Sequence, residues 1–192
     1  MEWILSLALE QDIPALEQLI PHSARTLLAP HYSPEQIDAA LGPVFGVDRQ
    51  LIRDGTYFVA RHRDAVIGCG GWSKRAAFFG GDAVPRPDQD RLLDPAREPA
   101  RIRAFFVHPD WTRRGIGRGI LEASEAAILA TSFRTAELSA TLAGEPLYAA
   151  FGYEVVERYE IKMSRGLTLP VVKMSKSFSG TAAANHRPLR GA

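Results

Sequence analysis

The sequence predicts an α/β fold, a mixed and mostly antiparallel central sheet with helices on both faces. Three observations predict it. Alternating apolar runs near the front are joined by turn residues, as in hairpins. The middle of the chain reads strand, glycine-rich turn, helix, strand. The end returns to extended, β-branched segments after one short helical stretch.

Trp3, Leu5, Leu7 and Leu9 alternate with other residues, the period of a first strand. Asp12-Ile13-Pro14 then opens a helix, with Asp12 as its cap and Leu16, Leu19 and Ile20 on one face. Ser33-Pro34-Glu35-Gln36 has capping-box spacing and a proline at the first helical position, so a second helix begins there, with Ile37, Ala40, Leu41 and Val44 at helical spacing. After a turn at Asp54-Gly55, TYFVAR and AVIGCGGWS flank the tight connection His62-Arg63-Asp64 and form an antiparallel hairpin. Residues 74–99 are rich in Pro, Asp and Arg and too long for an ordinary connection, which marks a loop insertion. RIRAFFVHP is the fourth strand. The helix after it carries Ile116, Ile120, Ser124, Ala127 and Ile128 on one side. TAELSA, EPLYAAF, YEVVERYEI and PVVKMSK complete the order β-α-α-β-β-β-α-β-α-β-β. Residues 1–178 form one domain, and the small, polar residues 179–192 are expected to be a mobile tail.

The 192 residues carry 23 Lys and Arg against 22 Asp and Glu, a net charge of +1, so a global field for nucleic acid or membrane is absent. The brief apolar start has no basic residues ahead of it and does not suit a signal peptide. With one cysteine, Cys69, no intrachain disulfide forms, and a reducing, cytoplasmic setting is expected. His22, His31, His62, His108 and His186 show no ligand spacing, so no metal is expected.

The chemistry is expected in FFVHPDWTRRGIGRGIL, residues 105–121, where a loop delivers glycines onto a helix start. Unpaired N–H groups and the helix dipole make such a turn a phosphate site, and Arg113, Arg114 and Arg118 add charge to it. No Lys-Ser or Lys-Thr follows, as a nucleoside-triphosphate loop requires, and Ile120 replaces the last glycine of a dinucleotide fingerprint. Apolar Phe105 and Val107 share a face with Arg101 and Arg103 under strict alternation, which predicts a bulge in this strand.

Val107-x-Pro109, then Arg114-Gly115-Ile116-Gly117 and Leu121, resemble the acetyl-CoA-binding motif of the GNAT superfamily of N-acetyltransferases. Leu147-Tyr148 and Phe151-Gly152-Tyr153 resemble its second signature, and the resemblance runs over residues 3–176. It implies a GNAT-like sheet opened at the fourth and fifth strands. It implies acetyl-CoA as acyl donor, with Phe105, Phe106 and Val107 along the pantetheine arm. Arg113, Arg114, Gly115, Ile116, Gly117 and Arg118 would then hold the pyrophosphate. Tyr148 becomes the acid that protonates the departing thiolate, and its ionisation should then set a high-pH limb of kcat. Departures are Thr112 where the family usually has Gln or Arg, Arg113 where it often has Gly, and Ala143, with Thr141 nearby, in place of an asparagine.

Glu98, Glu137 and Asp82 are conceivable bases for the attacking amine, each more often a solvated carboxylate, with water as the alternative. Cys69 reads as core rather than as an acyl carrier. Tyr32 and Phe78-Phe79-Gly80-Gly81-Asp82 are positions for an acceptor pocket, Gly80-Gly81 serving as a hinge, although Tyr32 equally suits a helix-start staple. The implied partner is a small-molecule or peptide amine, with neither nucleic acid nor membrane, and a homodimer stays open. The reading from another class is a catalytically silent acyl-CoA-binding module.

Overall fold

The computed structural model describes residues 2–79 and 91–178. Seven strands form one sheet in the order β1-β2-β3-β4-β5-β7-β6. They are β1 (Ile4–Leu7), β2 (Tyr57–His62), β3 (Ala65–Ser73), β4 (Ala100–Val107), β5 (Thr135–Thr141), β6 (Glu154–Lys162) and β7 (Thr168–Ser177). Every pairing is antiparallel except β4 with β5. The helices are α1 (Ile13–Leu27), α2 (Pro34–Ala40), α3 (Arg49–Arg53), α4 (Ile116–Leu129) and α5 (Glu145–Ala150).

The two sheet faces carry separate cores. On one, Leu16, Leu19 and Ile20 of α1 and Leu51 of α3 pack on Tyr57, Val59, Cys69 and Val171. On the other, α4 lays Ile116 and Ile120 on Ala60 and Ile67, and Leu121 and Ile128 near Ile102 and Leu138. Ala60 and Val59 are neighbours in sequence yet belong to opposite cores, which is strand alternation at work.

The capping box of α2 is present, with the Gln36 N–H donated to Ser33 Oγ at 3.2 Å and the Ser33 N–H to Gln36 Oε1 at 3.0 Å. This helix stops at Ala40, because Leu41 is extended (φ −64°, ψ 126°), so Leu41 and Val44 reach the core from a turn instead. Asp12 does not cap α1. It is buried, accepts the Leu9 N–H and pairs with Arg61 of β2. The five-residue α3 is too short for a periodic signal. It is started by Asp48, whose Oδ1 accepts the Leu51 N–H at 3.0 Å.

The ends of the 74–99 insertion are tied together by an antiparallel bridge between Arg75 and Leu92. The Arg91 guanidinium also grips Glu98 at 2.7 and 2.8 Å. Gly80, Gly81 and Asp82, and the tail 179–192, lie outside the described residues.

The bulge expected in the fourth strand is real and sits at Ala104. Arg103 pairs with Gly71 and Phe106 with Cys69, leaving two residues of β4 opposite Gly70 alone. Ala104 takes φ +62°, a left-handed backbone that disfavours a side chain. The buried Tyr57 hydroxyl donates to the Ala104 carbonyl at 3.3 Å, with the Cys69 thiol at 3.8 Å. Tyr57→Phe should therefore cost about 1–3 kcal/mol of stability. A lower urea midpoint with an unchanged m-value is the expected reading, and an unmoved midpoint would show that the hydroxyl does not secure the bulge.

Candidate active site

The only parallel contact of the sheet runs from Ala100 to Ile102 on β4 and from Ala136 to Leu138 on β5. Beyond Ile102 the Ala104 bulge turns β4 away and the strands part. A cavity of about 810 Å³ occupies the gap, within the range of ligand pockets. Phe105, Phe106 and Val107 line it from β4, and Ser139, Ala140 and Thr141 from β5. The His108 N–H is donated to Ile67 on β3 at 2.9 Å. Because N–H groups alternate sides along a strand, that of Val107 points into the gap. The sheet thus presents an unpaired edge inside the protein.

The cavity reaches the N-terminus of α4. Pro109–Trp111 make one 3₁₀ turn, in which Thr112 Oγ1 donates to the Pro109 carbonyl at 3.0 Å. The chain then passes through two left-handed residues, Arg113 (φ +62°) and Gly115 (φ +81°). Arg113 stands where the resembled family often has glycine, and its dihedral shows why glycine suits the position. Gly115 is the residue before the helix and supplies no side-chain cap, so the first N–H groups of α4 stay available. Trp3 Nε1 donates to the Arg114 carbonyl at 3.2 Å, and the Arg114 guanidinium lies 4.7 Å from the Trp111 ring centroid, so the turn is braced from β1's side. Arg118 pairs with Glu122 one turn along at 2.9 Å. Arg113, Arg114 and Arg118 are exposed around the turn, while Ile116 is buried and anchors it.

A Cβ on Gly117 would meet Leu147 Cδ2 of α5 at 3.3 Å and Val107 Cγ2 of β4 at 4.0 Å, a close fit that a small shift of the Leu147 side chain relieves. Uncapped N–H groups, exposed arginines and an unpaired strand edge suit a long ligand with phosphates at one end and amides along its arm. These residues fit coenzyme A.

Tyr148, on α5, lines the same cavity with its ring held edge-on by Phe105 and Tyr153, each at 5.9 Å. Burial pushes its phenol far above the ordinary tyrosine range, so it keeps its proton at any working pH. Thr141 Oγ1 accepts the Gly144 N–H at 3.2 Å and thereby starts α5. Thr141 and Ala143 both line the cavity.

The family model for the acetyltransferase (GNAT) domain matches residues 53–155, more than half of the chain. The protein belongs to the GNAT acetyltransferase family. A GCN5-related N-acetyltransferase from Rhodopseudomonas palustris is similar in structure, with a TM-score of 0.68 and 20% identity over 92% of this chain and 96% of that one. The PaiA N-acetyltransferase of Thermoplasma acidophilum, solved with coenzyme A, has a TM-score of 0.62 at 14% identity, covering 93% of this chain and all of that one. The yncA protein of Salmonella typhimurium, solved with its cofactor acetyl-CoA, has a TM-score of 0.62 at 14% identity over 97% of this chain and 100% of that one. At such identities the likeness shows the GNAT fold. No curated protein sequence matches the chain.

Other expected site residues sit elsewhere. Tyr32 does not face the cavity of this GNAT domain. Its buried hydroxyl donates to the Pro170 carbonyl and accepts the Leu142 N–H, both at 2.8 Å, strapping β7 to the end of β5. Glu98 is held by the Arg91 guanidinium and the Asp94 N–H, which bring its pKa down to about 2, too weak a base for an ammonium. Glu137 accepts from Arg101 at 2.8 Å and lies 3.3 Å from Lys173. Among the described residues, no Asp, Glu or His lines the cavity. Cys69 is buried on the bulge, its thiol pushed up to about 12 by desolvation, which leaves it unreactive. No helix among the described residues is long and apolar enough to cross a membrane. Among them, no group of three His, Cys, Asp or Glu could hold a metal.

Sequence reasoning missed Arg103 and Trp3. Arg103 is nearly buried and lines the cavity, its Nε 2.7 Å from Asp48 Oδ2. Its partner lies 55 residues away, a separation that no local pattern signals.

Proposed function

We propose that the protein transfers an acetyl group from acetyl-CoA to a primary amine by direct attack, both substrates being bound together. The observation that carries this reading is the gap between β4 and β5, which ends at the uncapped start of α4 and is lined by the buried Tyr148. Phe105, Phe106 and Val107 would hold the pantetheine arm through the free edge of β4, as an added strand is held. Residues 113–118 would hold the pyrophosphate. Acetyl-CoA, when bound, supplies the activated thioester.

The chain's own residues would then act as follows. The Val107 N–H steadies negative charge on the thioester oxygen as the neutral amine adds to the carbonyl carbon. Tyr148 gives its proton to the sulfur as the C–S bond breaks, and water returns a proton to the phenolate as it takes the one the amine releases. With no carboxylate or histidine among the described residues that line the cavity, the amine's proton passes to water. A cytoplasmic location goes with this reading, since the free Cys69 thiol suits a reducing compartment.

The absence of a base among the described lining residues is also what favours the second reading, a silent acyl-CoA-binding module. Thiol release from acetyl-CoA with a panel of amines separates the two: CoA binding without amine-dependent thiol release establishes the module. Phe78 and Phe79 line the cavity on the side away from α4, where the amine would enter. Phe78→Ala should raise the amine KM about tenfold, for the loss of a buried aromatic contact, and leave CoA affinity intact. Loss of CoA affinity at an unchanged amine KM would reverse the assignment of the two ends.

A further inference from the structure

On the sheet face that α1 covers, opposite α4, the cavity is walled by Leu27 of α1, Val44 and Phe45 after α2 and Val171 of β7, with Phe78 and Phe79 of the insertion beside them. Arg103 is the one charged residue in this wall among the described residues. Of its five N–H groups, one on Nη1 donates to the Ala77 carbonyl at 2.7 Å, while Nε lies 2.7 Å from Asp48 Oδ2 as an ion pair without a directed hydrogen bond. Behind the wall, Arg101 lies 4.2 Å and Lys173 5.5 Å from the Phe78 ring centroid, and the two share the single carboxylate of Glu137. Around this apolar, aromatic chamber Arg103 thus faces Asp48, while Arg101 and Lys173 share Glu137, with the charge of Glu98 also felt by Arg101.

A chamber of this kind is unfavourable for a second ammonium group, which would be desolvated with no anion to meet it. It is favourable for an apolar body ending in an anion, because a nearly buried guanidinium with open N–H groups binds a carboxylate strongly. We infer that the acceptor is an amine carried on an apolar or aromatic body that also bears a carboxylate, received by Arg103, and that polyamines are excluded. This rests on the acetyl-transfer reading for its orientation, with the amine towards Val107 and the acid towards Arg103.

The test is calorimetric titration of the full chain, saturated with CoA, with three acetylated products: N-acetyl-L-phenylalanine, N-acetylphenethylamine and N1-acetylspermidine. The first should bind about 10- to 100-fold more tightly than the second, the worth of a charge-assisted hydrogen bond, and the third should be weakest. Arg103→Gln alone would remove the cation 2.7 Å from the buried Asp48, so it is paired with Asp48→Asn. In that double variant the advantage of the carboxylate should vanish while N-acetylphenethylamine binds as before. Equal binding of the first two products, or preference for the spermidine derivative, overturns the inference. Thiol release with the parent amines is read separately. Turnover of spermidine but not phenylalanine sinks this inference and spares the acetyl-transfer reading. The expected binding order with no turnover of any amine sinks the acetyl-transfer reading and spares the ligand class.

Discussion

Gly117→Asp is expected to abolish CoA binding in a protein that still folds. The backbone at Gly117 is helical, and a Cβ there meets only the end of the Leu147 side chain at 3.3 Å, which can shift by a few tenths of an ångström. The carboxylate that follows would stand among the N–H groups of the α4 start, beside the helix dipole and three arginines proposed to take the pyrophosphate. It occupies that place and repels the ligand, so two effects act in one direction. Gly117→Ala tests the steric part alone and should weaken binding modestly, and Arg114→Ala should cost about 1–3 kcal/mol if its guanidinium leaves Trp111 for the phosphate. Titration with CoA, alongside a thermal melt, reads all three. Undiminished affinity in a folded Gly117→Asp protein removes the pyrophosphate from this turn.

Tyr148→Phe is expected to lower kcat by about 100-fold, the low end for general-acid assistance, because a thiolate can also leave unaided. CoA affinity should hold, since the ring keeps its edge contacts with Phe105 and Tyr153 and only the hydroxyl is lost. The pH dependence differs from what the sequence suggests. A phenol at its usual pKa near ~10 would lose its proton in the alkaline range and carry kcat down with it. Burial raises the folded-state pKa of Tyr148, so the acid form persists and no falling limb from this group is expected while the protein stays folded. Wild type and Tyr148→Phe should therefore run parallel in log kcat against pH, offset by a constant. A full-rate Tyr148→Phe enzyme makes the tyrosine a packing residue. A falling alkaline limb in wild type that Tyr148→Phe removes would mean that the hydroxyl is better solvated than its surroundings imply.

Much of the fold was legible because its signals are local. The hairpin of β2 and β3 follows from period-two alternation about Arg63-Asp64, and α4 from apolar residues at helical spacing after a glycine turn. The bulge in β4 was legible too, as a clash between alternation and polarity, although only the structure places it at Ala104. The failures share a cause. Asp12 has the residue type and position of a cap, yet a guanidinium from β2 captures it, and a buried ion pair outcompetes one capping bond. Tyr32 suits a pocket by position, but its hydroxyl finds a carbonyl on β7 and an N–H after β5. Glu98 and Glu137 resemble free bases until their arginines are placed beside them.

The sequence by itself determined the order of elements apart from the short α3, the glycine turn that starts α4 and the membership of the GNAT acetyltransferase family. Each of these rests on residues within one turn of helix or one strand of each other, where spacing dictates geometry. Only the tertiary structure decided what those elements enclose. That β4 and β5 part after Ile102 and Leu138, that Tyr148 is desolvated, and that Arg103 stands with Asp48 in an apolar chamber all depend on segments distant in the chain. Burial and charge pairing are set by which segments meet, and no local pattern carries that information.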